Sequence, residues 1–161
     1  MAITQVQRPN LGSGAIKFIE GLPFEGIGSA GFTANDLLIT GDEFDNILEG
    51  GSGHDELVGG GGNDVLKGGL GNGILKGGDG NDDLDGQEGT EKLFGGAGDD
   101  ILRAGHGYDR LSGGDGNDTL EGSTEDDQLS GEVGSDSLNG GAGADTLTGG
   151  SGDDTLIGGS E

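Results

Sequence analysis

The chain has 161 residues, of which 42 are Gly, 2 are Pro and none is Cys, and it carries a formal net charge of −24. Without Cys it is not a disulfide scaffold, a Cys-based zinc site or a thiol enzyme, and without Gly at every third residue it is not collagen. A polyanion is repelled by nucleic acid, no apolar run reaches the roughly 20 residues that span a bilayer, and Gly at this density in a highly charged chain predicts low complexity or disorder.

Residues 1–40 read as an N-terminal cap or linker. Met1 to Leu11 lacks the basic and apolar regions of a secretory signal peptide. Apolar residues cluster at Ile16, Phe18 and Ile19, then at Leu22, Phe24, Ile27 and Phe32. Alternation around Lys17 is weakly strand-like. Gly26 to Gly31 matches GxGxxG, but no βαβ unit follows and so many Gly make the match uninformative. Asn35-Asp36-Leu37-Leu38 echoes the end of the repeat described next, displaced by one residue by Thr40. The segment is expected to cover the first rung of a stacked rod, because open ends of such rods require protection.

From Gly41 to Ile157 the chain divides into 13 nonapeptides with no insertion or deletion. Clear copies are GGGGNDVLK from Gly59, GGDGNDDLD from Gly77 and GGDGNDTLE from Gly113. Position eight is Leu in all 13, from Leu48 to Leu156. Position one is Gly in all but Ala104, and position four is Gly in all but Phe44 and Glu125. Position six is Asp at Asp55, Asp64, Asp82, Asp100, Asp109, Asp118, Asp127, Asp136, Asp145 and Asp154, with Asn46, Gly73 and Glu91 as exceptions. Repeated Gly permits positive φ and close backbone approach. It also excludes a helix, at about 0.8–1.0 kcal/mol per Gly relative to Ala. Position seven holds β-branched residues such as Ile47, Val65, Ile74, Ile101 and Thr119, which suit a strand. Each repeat is therefore expected to form one tight loop and one three-residue strand. Nine residues are too few to close a coil, so two repeats per turn are expected. Both Leu columns would then point inward, and strands one turn apart would pair in parallel. That arrangement makes about 6.5 turns and a rod on the order of 31 Å long.

The pattern GGxGxDxUx resembles the nonapeptide of the RTX, or haemolysin-type calcium-binding, family of bacterial secreted proteins, a repeat already known as a β-helix signature. The resemblance implies an all-β fold, a parallel β-roll with calcium between stacked loops. It also implies an extracellular location. RTX proteins generally carry a C-terminal segment read by a type I secretion machine, and residues 158–161 show none.

The residues call for a cation independently. One Leu per nine residues is a thin core, and stacked Asp columns bring like charges together. Ca²⁺ takes six to eight oxygens from carboxylates and carbonyls, whereas Mg²⁺ demands tight octahedral geometry and keeps its waters. A soft metal would find no thiolate and only His54 and His106, three turns apart. The expected ligands are the ten position-six Asp listed above, with loop carbonyls of Gly60, Gly62, Gly78, Gly80, Gly96, Gly98, Gly114, Gly116, Gly150 and Gly152. Loops of alternate repeats share an edge. Edge one runs from Asn46 through Asp64 to Asp154, and edge two from Asp55 through Gly73 and Glu91 to Asp145. Degenerate loops concentrate on edge two, so edge one is expected to bind calcium better, with gaps beside Gly73 weak or empty. Acids at positions five and seven, such as Asp45, Asp83, Asp99 and Asp153, are expected to be solvated.

Asn81 to Gly86 mimics the start of an EF-hand loop, but its twelfth position is Lys92 and no helices flank it. No nucleophile, base and orienting group form a plausible triad, so the expectation is non-enzymatic. Three functional readings stand. One is a calcium-binding β-roll that folds with its ion. Another is an adhesin or carbohydrate-binding module using the outward face, with a cell-surface or glycan partner. The last is an accessory C-terminal segment of a secreted toxin, protease or lipase.

Overall fold

The computed structural model describes residues 15–16 and 36–160. The described residues form strands and turns with no helix. The strands are β1 (Ala15–Ile16), β2 (Leu38–Thr40), β3 (Asn46–Ser52), β4 (Glu56–Gly61), β5 (Val65–Leu70), β6 (Ile74–Asp79), β7 (Asp83–Glu88) and β8 (Lys92–Ala97). They continue as β9 (Ile101–His106), β10 (Arg110–Asp115), β11 (Thr119–Thr124), β12 (Gln128–Val133), β13 (Ser137–Ala142), β14 (Thr146–Ser151) and β15 (Thr155–Ile157). Odd-numbered strands make one parallel sheet of eight, and even-numbered strands make a second of seven. Leu66 pairs with Leu84 and Leu75 with Leu93, so each turn of the roll consumes 18 residues, two repeats. The expected two-column parallel β-roll is the fold.

The strands are longer than the three residues expected from the x-Leu-x pattern. Most have six, covering positions seven to nine and then one to three of the next repeat. Gly at positions one and two does not end the strand, because the ladder runs on through pairs such as Gly60–Gly78. Only positions four to six turn the chain. This has one large consequence. Side chains alternate along a strand with period two, so positions six, eight and one share the inner face. Asp64, Leu66 and Gly68 are buried in sequence, and Asp100, Leu102 and Ala104 repeat the pattern.

The Leu columns form one core from Leu48 to Leu138, joined by Ala104. The roll also begins earlier than the repeat count implied. Ile39 is buried, pairs with Leu57 and stands nine residues before Leu48. It takes the Leu place in an additional rung, and the register continues through Thr40 without displacement. The repeat end expected at Asn35-Asp36-Leu37-Leu38 places Leu38 at that phase, but the Leu38 side chain is exposed. At the other end, Leu147 is half-buried and Leu156 is 45% exposed. Interior rungs are covered from both sides, whereas among the described residues Leu156 is covered from one. The apolar cluster from Phe18 to Phe32 lies outside the described residues. Only the backbone of β1 is placed there, paired with β3 at Asn46 and Ile47.

Positions two and four need glycine for a steric reason. Gly78 has φ 124°, and a Cβ there would stand 2.0 Å from the Gly60 carbonyl oxygen of the preceding turn. Four non-glycine residues occupy such places: Gln87 (φ 76°), Ser123 (φ 83°), Glu125 (φ 70°) and Glu132 (φ 79°). All belong to repeats with degenerate loops or sit beside them.

Leu93→Ala is expected to cost about 2–5 kcal/mol of folding stability, because the neighbouring rungs cannot collapse onto the cavity. Leu156→Ala should cost under about 1 kcal/mol, since half its surface is already in water. Urea midpoints in saturating calcium check both values. Ser123→Gly should raise stability by about 0.5–1 kcal/mol in the same assay, by relieving the positive φ.

Candidate metal centre

The position-six carboxylates are structural ladders before they are anything else. On edge one the backbone N–H of Asn46 donates to Asp64 Oδ1 at 2.7 Å. The N–H of Asp64 donates to Asp82 Oδ1 at 2.7 Å, and that of Asp82 to Asp100 Oδ1 at 2.8 Å. The series continues through Asp118 and Asp136 to Asp154. On edge two Glu91, Asp109 and Asp127 donate in turn to Asp109, Asp127 and Asp145 at 2.7–2.9 Å. Each acid thus binds the turn 18 residues before it.

That bond uses one carboxylate oxygen. The other, Oδ2, is buried without a hydrogen-bond partner in Asp55, Asp64, Asp82, Asp100, Asp109, Asp118, Asp127, Asp136 and Asp145, and Glu91 Oε2 is likewise buried and unpartnered. The Asp oxygens face the position-one glycine of their own repeat wherever that residue is glycine. A Cβ built on Gly59 would lie 2.2 Å from Asp64 Oδ2 and 2.6 Å from the Gly77 carbonyl oxygen. The same convergence recurs at Gly77, with Asp82 Oδ2 and Gly95 O, and at Gly95, with Asp100 Oδ2 and Gly113 O. It is found on edge two at Gly50, with Asp55 Oδ2 and Gly68 O. A carboxylate oxygen and a carbonyl oxygen thus border a spot that only glycine leaves open. The carbonyls of position one, in Gly77, Gly95 and Gly113, do this. The carbonyls expected from sequence, such as Gly60, Gly62, Gly80 and Gly98, lie against the glycines of the following turn. Among the described residues no three His, Cys, Asp or Glu side chains come together as a metal-holding group. A hard cation here would draw on one carboxylate per turn and on backbone carbonyls, and this oxygen-only donor set fits Ca²⁺.

A second ladder, invisible in the repeat consensus, runs the opposite way. Position-five side chains accept the backbone N–H of the following turn. Asn63 donates to Asp45 Oδ1, Asn81 to Asn63 Oδ1, Asp99 to Asn81 Oδ1, Asn117 to Asp99 Oδ1 and Ser135 to Asn117 Oδ1, all at 2.7–3.0 Å. On edge two His54 serves in this role, its Nδ1 accepting from the Asn72 N–H at 3.0 Å. Asp45 and Asp99 are exposed, as expected, but they also fasten successive turns. The sequence signal was present in the run of short acceptors Asp45, Asn63, Asn81, Asp99 and Asn117 at every eighteenth residue.

The ladders break where the repeat departs from consensus. Asn46 replaces Asp at the start of edge one and is satisfied on both amide atoms, accepting from the Asp42 N–H and donating to Asp42 Oδ1. It leaves no orphaned oxygen. Gly73 presents no carboxylate to Asp55. Glu91, one methylene longer and fully buried, reaches the Gly73 N–H with Oε1 at 3.4 Å. The long acid thus keeps the ladder bond to the turn before, at a longer distance than the Asp bonds.

Burial raises the pKa of several acids in both columns. Desolvation pushes Asp64 and Asp118 up to about 6 and Asp100 and Asp127 up to about 7. It raises Asp55, Asp82 and Asp109 too. Glu91 rises through desolvation first and the neighbouring Asp109 charge second. The folded pKa exceeds the unfolded value of 3.8, so the fold prefers the protonated acid. The metal-free roll is accordingly most stable below about pH 4 and loses stability as pH rises through about 6 to 7. In excess chelator, sheet content by circular dichroism should fall between pH 4 and pH 8. Sheet content independent of pH over that range would contradict the assignment.

Comparison with protein families finds a match to the model described as the RTX calcium-binding nonapeptide repeat (4 copies). It covers residues 40–75, 74–90, 85–120, 94–129, 112–147 and 130–161. A comparison with curated proteins finds no match.

Proposed function

Because the chain belongs to the family of RTX calcium-binding nonapeptide repeats, we propose that it is a calcium-binding β-roll module whose folding is coupled to Ca²⁺. The observation that carries this reading is the set of buried carboxylate oxygens without a partner, one per turn along each edge. An orphaned buried acceptor costs about 1–3 kcal/mol, and more when charged. Ten such groups together cost about 10–30 kcal/mol, which matches or exceeds the roughly 5–15 kcal/mol that typically holds a domain. At neutral pH the roll therefore needs something that satisfies them. Protons do so only at low pH, and a hard divalent cation does so without protonation. Bound calcium supplies positive charge and accepts donation from several oxygens at once.

The ligands we assign are Asp64, Asp82, Asp100, Asp118, Asp136 and Asp154 on edge one, and Asp55, Asp109, Asp127 and Asp145 on edge two. Loop carbonyls complete the shell. The edge-one ladder is unbroken from Asp64 to Asp154, while Gly73 interrupts edge two. We therefore assign the better calcium sites to edge one. Binding energy becomes folding energy when the site exists only in the folded state. At a millimolar dissociation constant each ion contributes about 4 kcal/mol on a 1 M standard state. Extracellular calcium modules work in the range of about 0.1–1 mM. That range suits a secreted module that orders itself outside the cell. We assign it no catalysis.

Without calcium at pH 7.5 the chain should lack sheet signal, and calcium addition should produce it. A chain equally folded in excess chelator would overturn the coupling. Asp100→Asn should shift the calcium midpoint upward by several-fold, because the amide keeps the ladder acceptor but loses the charge. The exposed Asp115→Asn should leave the midpoint unchanged. Anomalous scattering from a calcium-soaked crystal should show higher occupancy along edge one than beside Gly73.

A further inference from the structure

Five basic residues lie among the described residues, and three have acidic partners one turn away. Lys67 faces Glu49 at 3.6 Å, Lys76 faces Glu56 at 2.6 Å and Arg103 faces Asp83 at 2.5 Å. Lys92 and Arg110 have no acidic partner among the described residues. They are register neighbours on β8 and β10, both exposed on the outer face of the seven-stranded sheet. Like charges directly opposite one another in a sheet are destabilising. In a chain of net charge −24, acids to pair them are abundant. Two bare cations placed side by side are thus a feature the fold does not need and works against.

Their surroundings have a distinct chemistry. They border a shallow cleft of about 520 Å³ that continues over β12 and β14. Beside them Phe94 is 42% exposed on β8, offering an aromatic face. Beyond them the lining turns neutral and hydroxyl-rich, with Ser112, Ser130, Thr146 and Thr148. Glu132 also lines the cleft, accepting a hydrogen bond from the hydroxyl of Ser112, the register neighbour of Phe94. It occupies a position-two place with φ 79°, where the other turns mostly hold glycine. Strain of this kind collects at functional sites. The cleft therefore combines two cations, an aromatic ring, several hydroxyls and one carboxylate that is already hydrogen-bonded.

We propose that the outer face of β8, β10, β12 and β14 binds a carboxylate-bearing polysaccharide. Lys92 and Arg110 take a sugar carboxylate, Arg110 with the planar fork that suits it. Phe94 covers the apolar face of a sugar ring. The Ser and Thr hydroxyls exchange hydrogen bonds with ring hydroxyls. Glu132 accepts from such hydroxyls as it does from Ser112. An acidic polypeptide fits less well. It would seek a free strand edge or apolar sockets for anchor side chains, and this face has neither. A densely charged polyphosphate would need more than two cations.

This proposal rests on the calcium reading, since the face exists only when the roll is folded. The test uses the full chain at fixed calcium, with sheet signal recorded in the same sample as binding. Polygalacturonate is the probe, with dextran and polyglutamate as comparators, measured by calorimetry. We expect polygalacturonate to bind and both comparators to bind at least tenfold more weakly. The double substitution Lys92→Gln and Arg110→Gln should lower polygalacturonate affinity at least tenfold. The matched pair Lys67→Gln and Arg103→Gln, on the other sheet, should change it less than twofold. Phe94→Ala should lower it about three- to tenfold. Equal binding of polyglutamate would overturn the proposal in favour of an acidic protein partner. Equal loss in the two double substitutions would reduce the effect to net charge or calcium bridging and overturn it as well. Absent binding with the sheet intact also overturns it. A sheet that does not respond to calcium is a separate result, which counts against the calcium reading.

Discussion

The structure depends on a buried carboxylate that is only half satisfied. In a strand with period-two alternation, the residue two before an inward Leu also points inward. Position six therefore enters the roll with position eight, and the pleat that buries Leu102 buries Asp100. The chain cannot assemble its thin apolar core without drawing a column of acids inside on each edge. One oxygen of each acid accepts from the preceding turn's backbone N–H, and in most of them the other is left beside the position-one glycine. Burial of the Leu columns and burial of the acids are in this sense a single event.

The turns are fastened in both directions along the axis. Position-six acids accept from the turn before them, and position-five side chains accept from the turn after. Tight stacking at about 4.8 Å leaves no room for a Cβ at several loop places, which explains the glycine content better than flexibility does. It also makes faults local. At Gly73 and Glu91, a missing carboxylate and a lengthened one lie on adjacent turns of one edge, and the parallel pairing between β4, β6 and β8 is undisturbed around them. At Gln87 and Ser123 the backbone keeps positive φ without glycine, and the ladder continues as well. Each turn touches mainly its neighbours, so single departures do not propagate.

The inner face is dictated by the repeat, but the outer faces are free to diverge. Positions seven and nine carry no burden in the core. On the eight-stranded sheet the basic residues Lys67 and Arg103 are neutralised by acids one turn back. On the other sheet Lys92 and Arg110 are left together beside Phe94. The seven-stranded sheet thus carries both a paired base, Lys76 with Glu56, and two bases without an acidic partner among the described residues.

Much of this was legible in the chain itself. An unbroken Leu at every ninth residue establishes the register. The shortness of the repeat requires two copies per turn, and Asp at one phase with no thiols indicates a hard cation. These follow from local rules of spacing and composition, which survive any detail of packing. Other features needed the turns stacked on one another. Strand length, the inward aim of Asp64 and its fellows, and the Ile39 rung follow from which residues pair across 18 positions. So do the position-five ladder through Asn63 and Asn81 and the unpaired state of Lys92 and Arg110. A linear reading sees neighbours at one and two residues, whereas every one of these contacts is made one full turn away.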